Sequence, residues 1–244
     1  MAISGKLLKS IMVNEFETKN RSSGPFLYHV NTVQTAALFL KNKGLLSRGA
    51  VEDLGLKQTP QKTDADDKSY GIYYDIFFDS CDIHYQCRNY CSYGPVSFRY
   101  SIDLLEELDD EKKIIEVTKS NPISWKNSDK QEYYFNETNI RDSANGFKLD
   151  NFQQHITVVD MHTPLPFSCL LGIRLDEPDD DPRHQELFIK AKDYLENLIE
   201  KLSVFDGIYI PFSIRNGCKP NCHCKESYRN MADDQFEKLF SFDE

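Results

Sequence analysis

The stretch Pro25-Phe26-Leu27-Tyr28-His29-Val30-Asn31-Thr32 constrains this chain more than any other. Phe26 to Val30 has the apolar and aromatic character of a short strand, and it carries a histidine. Thr32 is of the type that caps a helix, and Ala36, Ala37, Phe39 and Leu40 follow at helical spacing. Gly44 suits the position just past that helix. Leu45 to Val51 then reads as extended, delivering Arg48 at the end of Gly44-Leu45-Leu46-Ser47-Arg48. Strand, helix and second strand set His29 and Arg48 one helix apart.

The rest of the chain extends the same mixed pattern. Before the first strand, Leu7, Leu8, Ile11, Met12 and Phe16 recur at amphipathic helical spacing. Residues 52–68 are polar and aperiodic, a surface loop. Tyr70 to Phe78 has strand composition, and Val96 to Ile102 alternates apolar with polar residues. Between them lies a polar, cysteine-dotted segment, Asp79 to Tyr93, of no clear type. Asp103 to Asp110 reads as a short helix, and Ile114 to Val117, Gln154 to Met161, Leu170 to Leu175 and Ile208 to Ile214 as strands. Leu187, Ala191, Leu195, Leu198, Ile199 and Leu202 mark the clearest helix, starting near Asp179 to Asp181. The sum is an α+β chain: one domain over residues 1–215, and a small cysteine-bearing appendage over 216–244.

Composition narrows the function. A chain of 244 residues builds a core without staples. Its net charge of −10 gives no global attraction for nucleic acid, so such a partner would need a local basic patch. No stretch reaches the ~20 apolar residues of a membrane span. Asn14 and Glu15 cut the apolar part of the N-terminus too short for a secretory signal, so the chain reads as cytoplasmic. Seven cysteines, an odd number, are then either reduced thiols or metal ligands.

Strand-histidine, helix and glycine-led arginine, over residues 25–48, resemble the start of the ADP-ribosyltransferase fold, especially in DarT-type nucleic-acid-modifying toxins. Agreement is weaker through residue 161. The resemblance implies a mixed or antiparallel split sheet with flanking helices, and NAD as the substrate. It implies that His29, with Tyr28 beside it, meets a ribose hydroxyl and that Arg48 meets the pyrophosphate, a task suited to a bidentate donor. It further implies that the Asp79 to Tyr93 segment lies over NAD, with Tyr85, Tyr90 and Tyr93 available to stack on nicotinamide. Taken singly, a strand histidine and a strand-end arginine are more often a core hydrogen bond and a surface charge.

Breaking the nicotinamide–ribose bond creates an oxocarbenium-like centre, which a carboxylate stabilises. The family places a glutamate at the start of a late strand. Here Phe152 to Asp160 resembles that strand, as in the poly-ADP-ribose polymerases, and Gln154 stands at the glutamate position. A glutamine accepts a hydroxyl hydrogen bond but supplies neither charge nor a base. Asp160, Glu137 or Asp82 would then supply the carboxylate, or the mechanism differs, or the chain binds without chemistry. The resemblance implies a nucleic-acid acceptor (a DNA or RNA base), a neutralising antitoxin or chaperone partner, and a role in toxin–antitoxin or phage-defence systems. The alternative is a nucleotide- or protein-binding module on the same fold.

Cys218, Cys222, His223 and Cys224 are close enough to place three ligands of a tetrahedral zinc on one turn, with Cys87 or Cys91 as a further donor. The spacing departs from that of zinc ribbons, and free buried cysteines account for it as well. Asp82 and His84 share a face if their segment is extended, where they would bind a metal, line the pocket or cap turns.

Overall fold

The computed structural model describes residues 2–19, 25–84, 90–126, 130–142, 144–215 and 223–243. The chain is α+β. Its centre is a seven-stranded mixed sheet built from β1 (Phe26–Asn31), β3 (Ile76–Asp79), β4 (Val96–Ser101), β5 (Ile115–Val117), β6 (His155–Val158), β8 (Leu170–Asp176) and β9 (Phe212–Arg215). The spatial order is β5-β6-β3-β1-β4-β8-β9, antiparallel at every step except the parallel pair β8–β9. A two-stranded ribbon joins β2 (Gly44–Leu45) to β7 (Leu165–Pro166).

β1 is the middle strand, and its two sides are unequal. It pairs with β4 along its whole length, from Phe26↔Ser101 to Asn31↔Val96. With β3 it shares the single register pair Tyr28↔Asp79. The sheet therefore parts next to His29, and the imidazole takes over there: its Nδ1 lies 2.8 Å from the Phe77 carbonyl oxygen of β3. A buried carbonyl left without a ladder partner needs such a substitute donor.

The helices α1 (Gly5–Thr18), α2 (Val33–Lys41) and α5 (Leu104–Asp110) pack as the sequence leads one to expect. Thr32 caps α2 by accepting from the Thr35 amide. Seven of the nine residues of α2 are buried, because its apolar residues run around the helix and not along one stripe. The long helix α6 (Pro182–Asp206) starts on the Asp181 side chain, which accepts from the Arg183 amide, with Pro182 at its first position. It stops at Gly207, whose φ of 68° is left-handed. α7 (Cys224–Arg229) and α8 (Asp233–Phe240) bury Tyr228, Phe236, Leu239 and Phe240 in the same core as the sheet and α2.

Three local expectations give way. Leu45 to Val51 does not run on as a strand: β2 is two residues long, then Ser47 accepts from the Ala50 amide and opens helix α3 (Arg48–Asp53). Gly44 is not the left-handed residue past α2; Lys43 takes that conformation, with φ 59°. A side chain at residue 44 would run into the Leu165 carbonyl, so glycine is needed for the close β2–β7 approach. The strand expected over Tyr70 to Phe78 shrinks to Ile76–Asp79, and the polar stretch before it folds a further short helix, α4 (Asp64–Ser69).

Candidate functional site

A cleft of about 140 Å³ opens where β1 and β3 part. Its floor comes from the ends of β1, β3 and β6. Its far wall comes from α3, α4 and the segment around Tyr93 and Asn121. His29 and Arg48 both line it. Ser47 sets the position of Arg48: its hydroxyl donates to the Met161 carbonyl (2.7 Å) while capping α3, which swings the first helical residue over the cleft.

The chemistry of His29 is fixed by its partners. A carbonyl oxygen only accepts, so Nδ1 carries the proton facing Phe77. Burial pushes the imidazole below its ordinary pKa, against the opposing pull of the Phe77 carbonyl and Asp79, so the ring is neutral near pH 7. Nε2 is then an acceptor. It is buried and has no hydrogen-bond partner among the described residues.

Arg48 is held by Asp64, with Nη2 2.8 Å from the carboxylate and 3.2 Å from the Thr59 carbonyl. Its Nη1 is buried and makes no hydrogen bond among the described residues. Asp67 also lines the cleft, and burial pushes its carboxyl up to about 6. Tyr73 beside it is raised to about 12, first by burial and then by its bond to Glu52. Asp79 and His155 are register partners at the ends of β3 and β6, and His155 Nδ1 lies 3.0 Å from Asp79 Oδ1. Both residues line the cleft.

The other expected site residues lie as follows. Tyr93 lines the cleft. Tyr28, next to His29 on the strand, does not line the cleft, and burial, then Asp82, raises its phenol to about 12. Tyr90 packs its ring on Tyr228 and accepts from Gln235 at 3.0 Å, away from the cleft lining. Tyr85 and Cys87 lie outside the described residues. Gln154 is buried just before β6 and turned into a loop: its Oε1 accepts from the Lys148 amide at 2.8 Å and its Nε2 donates to the Gly146 carbonyl at 3.3 Å.

None of the three carboxylates considered from sequence lines the cleft. Glu137 is exposed, and Asp160 is exposed beside His162. Asp82 sits in a buried network with Arg215, whose Nη2 donates at 2.9 Å. His84 joins that network through Asp176, 2.9 Å away. Cys218 and Cys222 lie outside the described residues. His223 is exposed, 3.2 Å from Glu226, and Cys224 is buried at the start of α7. Among the described residues no three His, Cys, Asp or Glu side chains are grouped to hold a metal.

Sequence reasoning missed the roles of Asp67 and His155 as cleft residues. Asp67 sits in an aperiodic acidic stretch that gives no direction to its side chains. His155 is the neighbour of Gln154, and strand alternation sends adjacent side chains opposite ways. The sequence alone leaves open which of the two faces inward.

No family model matches this chain, and no curated protein matches it. Among solved structures, the chain is similar to Thermus sp. 2.9 DarT in complex with NAD+, at 10% identity over 84% of this chain and 97% of that one, with a TM-score of 0.42. It is similar, with the same identity and score, to Thermus sp. 2.9 DarT in complex with ADP-ribosylated ssDNA, covering 84% of this chain and 96% of that one. A third is Thermosipho africanus DarTG in complex with ADP-ribose, at 13% identity and a TM-score of 0.40, over 77% of this chain and 49% of that one. At these identities and scores each likeness is one of chain course, and it gives no residue a role.

Proposed function

We propose that the chain is an NAD-dependent ADP-ribosyltransferase whose acceptor is a nucleic-acid base. The observation that carries this reading is the convergence of His29 and Arg48 on one cleft, with His29 Nε2 presented as a buried acceptor. A buried acceptor of this kind is completed by a hydroxyl donor, and the ribose next to nicotinamide supplies one. Arg48 Nη1 is a donor for a pyrophosphate oxygen, and the Asp64 pair holds the guanidinium in place for it. Tyr93 supplies an aromatic face for nicotinamide. In this reading Gln154 holds the 146–148 turn beside the site and takes no part in bond breaking. An enzyme that modifies nucleic acid in its own cell needs restraint, so a neutralising partner protein belongs to the same reading.

The test is incubation with NAD labelled in its adenosine half, together with single-stranded DNA, RNA and protein. Label moves to nucleic acid, and His29→Ala abolishes the transfer. Undiminished transfer by His29→Ala would remove the pocket from the mechanism. The second reading, a nucleotide-binding module, is favoured by the full engagement of Gln154 with backbone groups. It expects NAD to raise the melting temperature with no release of nicotinamide.

A further inference from the structure

The cleft lacks a glutamate at the start of β6, yet it holds a histidine there with a carboxylate behind it. We infer that His155 is the general base of the transfer and that Asp79 is its positioning residue. The inference rests on the ADP-ribosyltransferase reading of the same cleft.

Asp79 stands beside the His155 imidazole at ion-pair distance, its Oδ1 making no hydrogen bond among the described residues. Asp79 and His155 face each other across the β3–β6 ladder, with Oδ1 and Nδ1 3.0 Å apart. A carboxylate beside Nδ1 selects the tautomer with its proton there, so Nε2 is the basic atom. The backbone and the ring each have one further contact. The His155 amide donates to Thr118 Oγ1 at 2.8 Å, and the Phe77 ring meets the imidazole edge-on with centroids 6.1 Å apart. Both His155 and Asp79 are at least nine-tenths buried, and both line the cleft that takes His29 and Arg48. The other titratable or charged groups lining it are Asp67, Tyr73, Asp75 and Tyr93.

The step balances without any further reagent. The bond from ribose C1′ to the nicotinamide nitrogen breaks, and its electron pair returns to the ring, discharging its positive charge. The acceptor's lone pair forms the new bond at C1′. The proton that the acceptor sheds passes to His155 Nε2 and then to water, while Asp79 stabilises the transient imidazolium. A neutral glutamine at residue 154 is compatible with this step, because the proton and the charge are handled one residue later.

The test compares wild type, His155→Gln, Asp79→Asn and Asp79→Glu. NAD binding is read by melting temperature, and transfer and nicotinamide release are read as rates with a pool of single-stranded DNA and RNA oligonucleotides. His155→Gln keeps NAD affinity within about threefold and transfers roughly 10²–10³-fold more slowly. Asp79→Asn keeps NAD affinity within about threefold and lowers the transfer rate, because the ring loses the group that holds it. Asp79→Glu restores part of the rate.

A His155→Gln protein with wild-type rate overturns the dyad and leaves ADP-ribosyl transfer standing. A wild type that neither binds NAD nor releases nicotinamide overturns the underlying reading, and the dyad with it. Should His155→Gln melt below assay temperature, His155→Asn is read the same way.

Discussion

At the scale of single residues, the cleft is organised by what each polar side chain is already bound to. Among the described residues His29 Nε2 and Arg48 Nη1 have no hydrogen-bond partner, whereas Gln154 has both ends of its amide committed to backbone. Gln154→Ala should therefore act on stability. It strands the Lys148 amide and the Gly146 carbonyl and should cost about 1–3 kcal/mol in urea denaturation, with the NAD-dependent rate per folded molecule changed less than tenfold. A rate loss far beyond the stability loss would return Gln154 to the chemistry. Asp67 makes a second residue-scale prediction. Burial raises its carboxyl from 3.8 to about 6, so the folded chain holds this proton more tightly than the unfolded one. Stability from this group accordingly falls as pH rises from 3.8 through about 6. Asp67→Asn should raise stability at pH 8 by roughly 1 kcal/mol, a figure discounted for partial exposure, and the gain should vanish near pH 4. Melting curves at the two pH values check both halves.

At the scale of elements, the site depends on how strands end. β1 and β3 separate after one register pair, and α3 begins where a longer strand was expected, so a helix start and a broken ladder face each other over the cleft. Legibility followed the strength of local signals. Thr32 and Asp181 marked helix starts that the structure keeps. Ser47 is an equally good cap, but Leu45, Leu46 and Val51 around it have strand character, and the β2–β7 pairing outside the segment decided the outcome. The docking of α1 on α5 gives a further prediction. Asp109 of α5 accepts from the Gly5 amide (2.7 Å), the Lys6 amide (2.9 Å) and the Ser4 hydroxyl (3.0 Å) at the α1 N-terminus. Burial opposes ionisation, yet these donors hold the carboxyl below its usual range. Asp109→Asn should lower stability at pH 7 by about 1 kcal/mol. For wild type, this contribution should fade as pH falls through the depressed carboxyl range. A variant as stable as wild type at pH 7 would show that the cap is idle.

At the scale of the whole molecule, the sheet brings together residues from distant parts of the chain: His29, Arg48, Asp79 and His155 meet in one cleft. Binding there should stabilise the fold as a whole. NAD at about 100 times its Kd should add about 2.7 kcal/mol, seen as a concentration-dependent rise in melting temperature that His29→Ala removes. An equal rise in the variant would place the ligand elsewhere. The sequence by itself determined the α+β class, the strand that carries His29, the helix that follows it and the long helix that starts near Asp181. Apolar periodicity and caps are local, and they report on the residues beside them. Only the tertiary structure decided that α3 carries Arg48, that Gln154 turns into a loop while His155 faces the cleft, and that Asp79 stands behind it. Those outcomes depend on which strand pairs with which and in what register. Register is set by packing between segments far apart in sequence, and a shift of one residue would exchange the two faces.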